Sequence, residues 1–199
     1  MRESGIGRVL VASLHQAIGD VLPMRLGFYE SWLNAEGLRE GTIGLAPLYA
    51  VLSFLRQEGP AYDRVVAAAG GYAAEWTVES MNPTVRRVIN ALPRVLRRRV
   101  VLGRARRLVR MSYEGSRASW RIRKGVGQMK VIASVFCSVR EPHPAPLCGF
   151  YAAAVERMLA LFAIDARVSV SACRGSGGEV CTLDIPMNAA SPDSEVVAA

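Results

Sequence analysis

The stretch CGFYAAAVERMLALFAIDARVSVSACRGSGGEVCTLDI, Cys148 to Ile185, sets three cysteines around a helix, two strands and a glycine-rich turn. From Cys148 to about Phe162 the apolar residues Phe150, Tyr151, Ala154, Val155, Met158, Leu159 and Phe162 recur at three and four, the spacing of an amphipathic helix. Arg167 to Ala172 then alternates, with Val168 and Val170 against Arg167, Ser169 and Ser171, which is the period of a strand. The run Gly175 to Gly178 turns the chain, and Val180 to Ile185 reads as a returning strand. Cys148 opens the helix while Cys173 and Cys181 flank the turn. A helix start brought against the mouth of a hairpin makes three sulfurs converge.

Upstream, Ala118, Trp120 and Ile122 alternate with Ser119, Arg121 and Arg123. Gln128 to Val139 is a β-rich run, apolar on both faces in its middle, and predicts a central strand carrying Val131, Val135 and Phe136. With the pair around the glycine turn this makes about four antiparallel strands. The segment Glu141 to Pro146, rich in proline, is a rigid exposed connection into the Cys148 helix.

Helical patterns fill the first part of the chain: Ile6–Leu22, Phe28–Leu33, Leu45–Arg56 and Tyr62–Thr77. A cap and turn at Ala35–Gly37 and a loop from Leu38 to Gly44 separate the second from the third. Gly70 and Gly71 either let another helix approach closely, open access for a ligand, or break the helix. Asn82 caps a further helix with Pro83 in its first turn, and Pro93 separates this from Val95–Val109. The expected fold is α+β, helices packed on a small antiparallel sheet and ending in helix and hairpin. It is one domain: residues 1–110 form its helical part, 111–187 its strands, Cys148 helix and hairpin, and 188–199 a flexible tail.

Apolar residues make up 51% of the 199, with 21% charged, which excludes a disordered chain. No apolar run approaches the ~20 residues of a membrane helix. The N-terminus does not read as a secretory signal, because Glu3, His15, Gln16 and Asp20 interrupt it. A cytoplasmic chain with reduced thiols is expected. There is no phosphate-binding glycine loop, no dinucleotide fingerprint, no zinc-protease helix and no nucleophile elbow. The two histidines, His15 and His143, lack the orienting partners a cysteine nucleophile needs, so the expectation leans away from an enzyme.

The net charge of +8 is concentrated. Between Val85 and Lys124 stand thirteen arginines and one lysine against one acid, Glu114. Either this is a solvated face or it is a docking surface, centred on Arg97, Arg98 and Arg99, for a partner protein or an anionic membrane. Interleaved aromatic residues for stacking bases are absent, which argues against nucleic acid.

The order Cys148, then Cys173-Arg-Gly-Ser-Gly-Gly-Glu-Val-Cys181, then Thr182-Leu-Asp-Ile185, resembles the C-terminal part of the 4-vinyl reductase-like domain family. That family is similar in fold to transport protein particle subunits and to the sensor domains of aromatic-responsive regulators. The resemblance implies zinc on Cys148, Cys173 and Cys181, with a glutamate as fourth ligand where this chain has Val170. Two readings follow. In one, Cys137 or His143 replaces the carboxylate around a structural zinc. In the other the metal has been lost and the cysteines are small buried apolar groups, and the missing glutamate weighs toward this second reading. The resemblance also implies a pocket for hydrophobic small molecules, for which Phe136, Phe150, Tyr151 and Met158 are the candidate lining, unless these simply pack the core. The expected function is a cytosolic, non-catalytic binding or regulatory module holding a hydrophobic molecule. Alternatives are an accessory protein of a tetrapyrrole-pathway enzyme, or a dimeric tethering protein docking through its arginines.

Overall fold

The computed structural model describes residues 6–33, 44–123, 125–139 and 141–187. The expected turn and loop between Ala35 and Ile43, and the tail from residue 188, lie outside the described residues. The architecture is α+β: seven helices among the described residues, and one four-stranded antiparallel sheet.

The helices are α1 (Arg8–Val21), α2 (Leu26–Glu30), α3 (Leu45–Gln57), α4 (Pro60–Glu79), α5 (Pro83–Ala91), α6 (Arg94–Ser112) and α7 (Gly149–Ala160). The strands are β1 (Arg117–Arg123), β2 (Val126–Ile132), β3 (Ser169–Ala172) and β4 (Cys181–Pro186), in the spatial order β1-β2-β4-β3. Asn82 Oδ1 accepts from the Thr84 amide at 2.8 Å, so α5 starts at the cap and proline expected from the sequence. Pro93 separates α5 from α6, as its fixed φ and missing N–H require.

The central pair is α4 against α7, and glycine makes it possible. α4 runs unbroken through Gly70–Gly71. A Cβ on Gly70 would run into the carbonyl oxygen of Phe150 and stand 2.9 Å from the Ala154 amide nitrogen. Close helix approach is therefore the use of Gly70. Arg157 on α7 clamps the pair by reaching Glu75 on α4 through Nε at 2.7 Å and Nη2 at 2.6 Å.

One face of the sheet turns to the helices: Met129, Val131, Leu183 and Ile185 are buried. Its other face is polar and laddered across strands. In the paired register Arg121–Gln128–Asp184, Arg121 donates to Gln128 Oε1 at 2.6 Å and Gln128 Nε2 donates to Asp184 at 3.0 Å. This alternation is what the half-buried strand pattern demands.

The run Gln128–Val139 is not one strand. β2 ends at Ile132, Ala133 takes φ 56°, and Val135–Cys137 forms a 3₁₀ turn. The apolar character on both faces, expected to mark a central strand, arises here because the turn plunges into the core: Val135, Phe136 and Cys137 are all buried. The Ile6–Leu22 helix is also shorter, since Ile6 bridges Tyr113 instead of starting α1.

Candidate metal centre

Four segments bring four cysteines together. Cys137 ends the 3₁₀ turn after β2, Cys148 is the N-cap of α7, Cys173 follows β3, and Cys181 opens β4. All four are buried and none is in a disulfide. Their Sγ atoms all lie within 4.8 Å of one another. Cys137 Sγ is 3.1 Å from Cys148, 3.4 Å from Cys173 and 3.5 Å from Cys181, and Cys148 is 3.4 Å from Cys173.

Local structure aims each sulfur. The turn after Cys173 is a 3₁₀ piece, Arg174–Ser176, closed by Gly177 at φ 92°, a left-handed position that favours glycine. The Gly178 amide returns to the Cys173 carbonyl at 2.9 Å, and His143 fastens the proline-rich connection to the turn through its amide and Gly175 O at 2.6 Å. On the other side, Tyr62 on α4 donates its hydroxyl to Leu147 O at 3.1 Å and holds the chain just before Cys148.

The donor set fits a metal that prefers thiolates. A tetrahedron with Zn–S of ~2.3 Å has edges of about 3.8 Å; the four separations above, 3.1–3.5 Å, are a little shorter, and no pair exceeds 4.8 Å. The Leu147 amide points at Cys173 Sγ (3.3 Å) and the Arg174 amide at Cys181 Sγ (3.5 Å), contacts that stabilise negative sulfur. Cys148 at the N-cap of α7 adds the positive end of a helix. Hydrogen bonds from Cys137 and its neighbours hold the Cys173 thiol well below the usual thiol range, whereas Cys148 is pushed up, first by Cys137. Arg56 stands beside the cluster with its Nη1 buried and without a hydrogen-bond partner. Burial lowers its pKa, while Tyr62 and Cys137 act the other way. An anionic tetrathiolate is the charge such a guanidinium lacks.

The fourth sulfur is Cys137, not His143, whose Nδ1 turns to the backbone of Ala145 at 3.0 Å. Val170, at the position of the expected carboxylate, pairs with Leu183 in the sheet. Arg56 carries no signal in the sequence, because only the fold brings α3 to the cysteines.

Phe136, Phe150, Tyr151 and Met158 are fully buried together. The Phe136 and Phe150 rings stack at 4.9 Å, and Tyr151 stands edge-on to both at 5.4 Å. The three rings fill the space against one another. Tyr151 OH and Ser134 Oγ are buried without a well-formed hydrogen bond, although the Ser134 and Ser116 hydroxyls lie beside the phenol. Burial pushes the Tyr151 hydroxyl pKa up.

The three docking candidates separate. Arg97 is half-buried and reaches Phe162 O at 3.5 Å with its Nε enclosed and unpartnered, Arg98 is half-buried, and Arg99 is exposed. His15 is a boundary residue 3.0 Å from Glu30. No helix among the described residues is long and apolar enough to cross a membrane. The chain matches no protein-family model and no curated protein.

Proposed function

We propose that the chain is a non-catalytic binding or regulatory module whose helix–sheet body is closed by a structural zinc ion on Cys137, Cys148, Cys173 and Cys181. The convergence of four buried sulfurs from four separate segments carries this reading. Four protein ligands leave no open coordination position, which is the pattern of structural rather than catalytic zinc. Zinc there would tie the start of α7, the end of β2 and the β3–β4 turn into one unit, so its binding free energy adds to folding. The resemblance to the 4-vinyl reductase-like family supports the same site, with Cys137 in the place of the missing glutamate.

The held molecule would be small and mostly apolar. This second element rests on the family resemblance, since Phe136, Phe150 and Tyr151 pack against one another and the Tyr151 hydroxyl lies beside those of Ser134 and Ser116.

Melting the purified full chain with and without a strong chelator, beside native mass measurement, tests both elements. The expected result is one zinc per chain, a lower melting temperature after chelation, and added mass from a hydrophobic guest. Unchanged melting of metal-free protein would end the zinc reading. A native mass of chain plus zinc alone, with no uptake of a fatty acid, would end the small-molecule reading. A visible absorption band on the purified protein would redirect it to a tetrapyrrole.

A further inference from the structure

Ten arginines and no aspartate or glutamate lie between Ser80 and Tyr113, a span that contains α5 and α6 entire. The apolar residues of this span divide into two sets. Ile89, Val101, Leu102, Ala105, Leu108 and Val109 face the core. Four of the others stand largely in water: Val88 is 57% exposed, Val95 63%, Leu96 49% and Met111 57%.

On α6 the exposed set has a line. Leu96, Val100, Gly103, Arg107 and Met111 follow one another at four, three, four and four residues, which is one stripe along a helix. Arg99, Arg106 and Arg110 flank it on one side and Arg104 on the other. The second half of the stripe borders a groove of about 700 Å³ lined by Arg104, Arg106, Arg107 and Arg110, with one acid, Glu114, at its far end in the sequence. Around Met111 it adjoins a more apolar groove of about 530 Å³, with Val9, Met81 and Leu108 in its wall. None of the ion pairs His15–Glu30, Arg25–Glu58 and Arg157–Glu75 involves an arginine of this span.

We propose that the stripe of α6 forms a surface that docks on an anionic phospholipid membrane, arginines on the phosphates and Leu96, Val100 and Met111 among the acyl chains. This surface is separate from the cysteine site and stands without it. Charge complementarity selects the occupant. A bilayer of negative headgroups repels every carboxylate, and this 34-residue span has none. A second copy of the chain would set arginine against arginine across a twofold interface. Nucleic acid has phosphates but offers nothing to the protruding leucine, valine and methionine, and the surface has no aromatic ring for a base. An amphipathic helix with arginine beside exposed aliphatic groups suits the interface, where both terms act together.

The test is co-sedimentation of the full chain with vesicles of phosphatidylcholine alone and of phosphatidylcholine with one third phosphatidylserine. Binding is expected only to the second, weakening as salt rises. Arg99→Glu/Arg106→Glu/Arg107→Glu should lower that partition at least about tenfold, since each basic group near the surface contributes separately. Leu96→Ser/Met111→Ser should lower it several-fold while leaving the melting temperature in place, since both side chains are exposed. Equal binding to both vesicles, or none to either, overturns the proposal. So does loss on charge reversal with no effect of the serine variant, which marks a general attraction to polyanions such as RNA or acidic protein.

Discussion

The cysteine end and the arginine helix are both built from one chemical group repeated, yet the chain treats the two oppositely. Around Cys173 the repeated group converges: four sulfurs fit within 4.8 Å and all are buried. Along α6 the repeated group disperses, with Arg99, Arg106, Arg107 and Arg110, all exposed, spread over more than ten residues of the helix. Convergence of buried groups that repel when ionised needs a counter-charge at the centre, which points to a cation. Dispersal in water requires no centre, and the complement of such a stripe is an extended anionic surface. Burial thus decides what a cluster of like residues can do.

Substitutions sharpen this contrast, beginning with the convergent end. Cys173→Ser should remove one zinc ligand and destabilise the fold by about 4 kcal/mol or more, the range of losses that includes metal sites. Denaturant unfolding of the zinc-loaded chain measures it, and a loss below about 1 kcal/mol would break the claim that the centre is structural. Gly70→Val should come next. Its side chain has only the Phe150 carbonyl and the Ala154 amide to displace, so α4 and α7 must separate at a cost of about 2–3 kcal/mol.

Met158→Trp then separates a packed core from a held guest. Met158 is fully buried. A tightly filled site predicts about 1–3 kcal/mol of overpacking strain. A tolerated tryptophan that abolishes fatty-acid uptake would show space for a guest. On the dispersed end the effects should be small. Arg97→Ala should cost about 1 kcal/mol, because its stem packs and its guanidinium reaches Phe162 O. Arg99→Glu should change stability by about 0.5 kcal/mol or less, as exposed charges do.

Much of the fold is legible in the sequence itself. The helix from Cys148, the returning strand to Ile185 and the cap at Asn82 all follow from periodicity and local hydrogen-bonding chemistry, which act within a few residues. Three of the four sulfurs belong to that local pattern. Cys137 does not, because its direction depends on the left-handed backbone at Ala133, and alanine carries no turn signal. The apolar run around it therefore has the pattern of a strand. Val85 and Val88 illustrate the converse. They share an apolar side of α5 with Ile89 and Leu92, yet of the four only Ile89 is buried. Periodicity reports which residues share a side of a helix, whereas whether that side meets the protein is a tertiary fact.

X-ray absorption at the zinc edge of the purified full chain tests the central claim most directly. The account predicts one zinc per chain with four sulfur neighbours at ~2.3 Å and no nitrogen or oxygen among its ligands. Zinc-free protein of undiminished stability, or a zinc bound by nitrogen from histidine or oxygen from water, would contradict it.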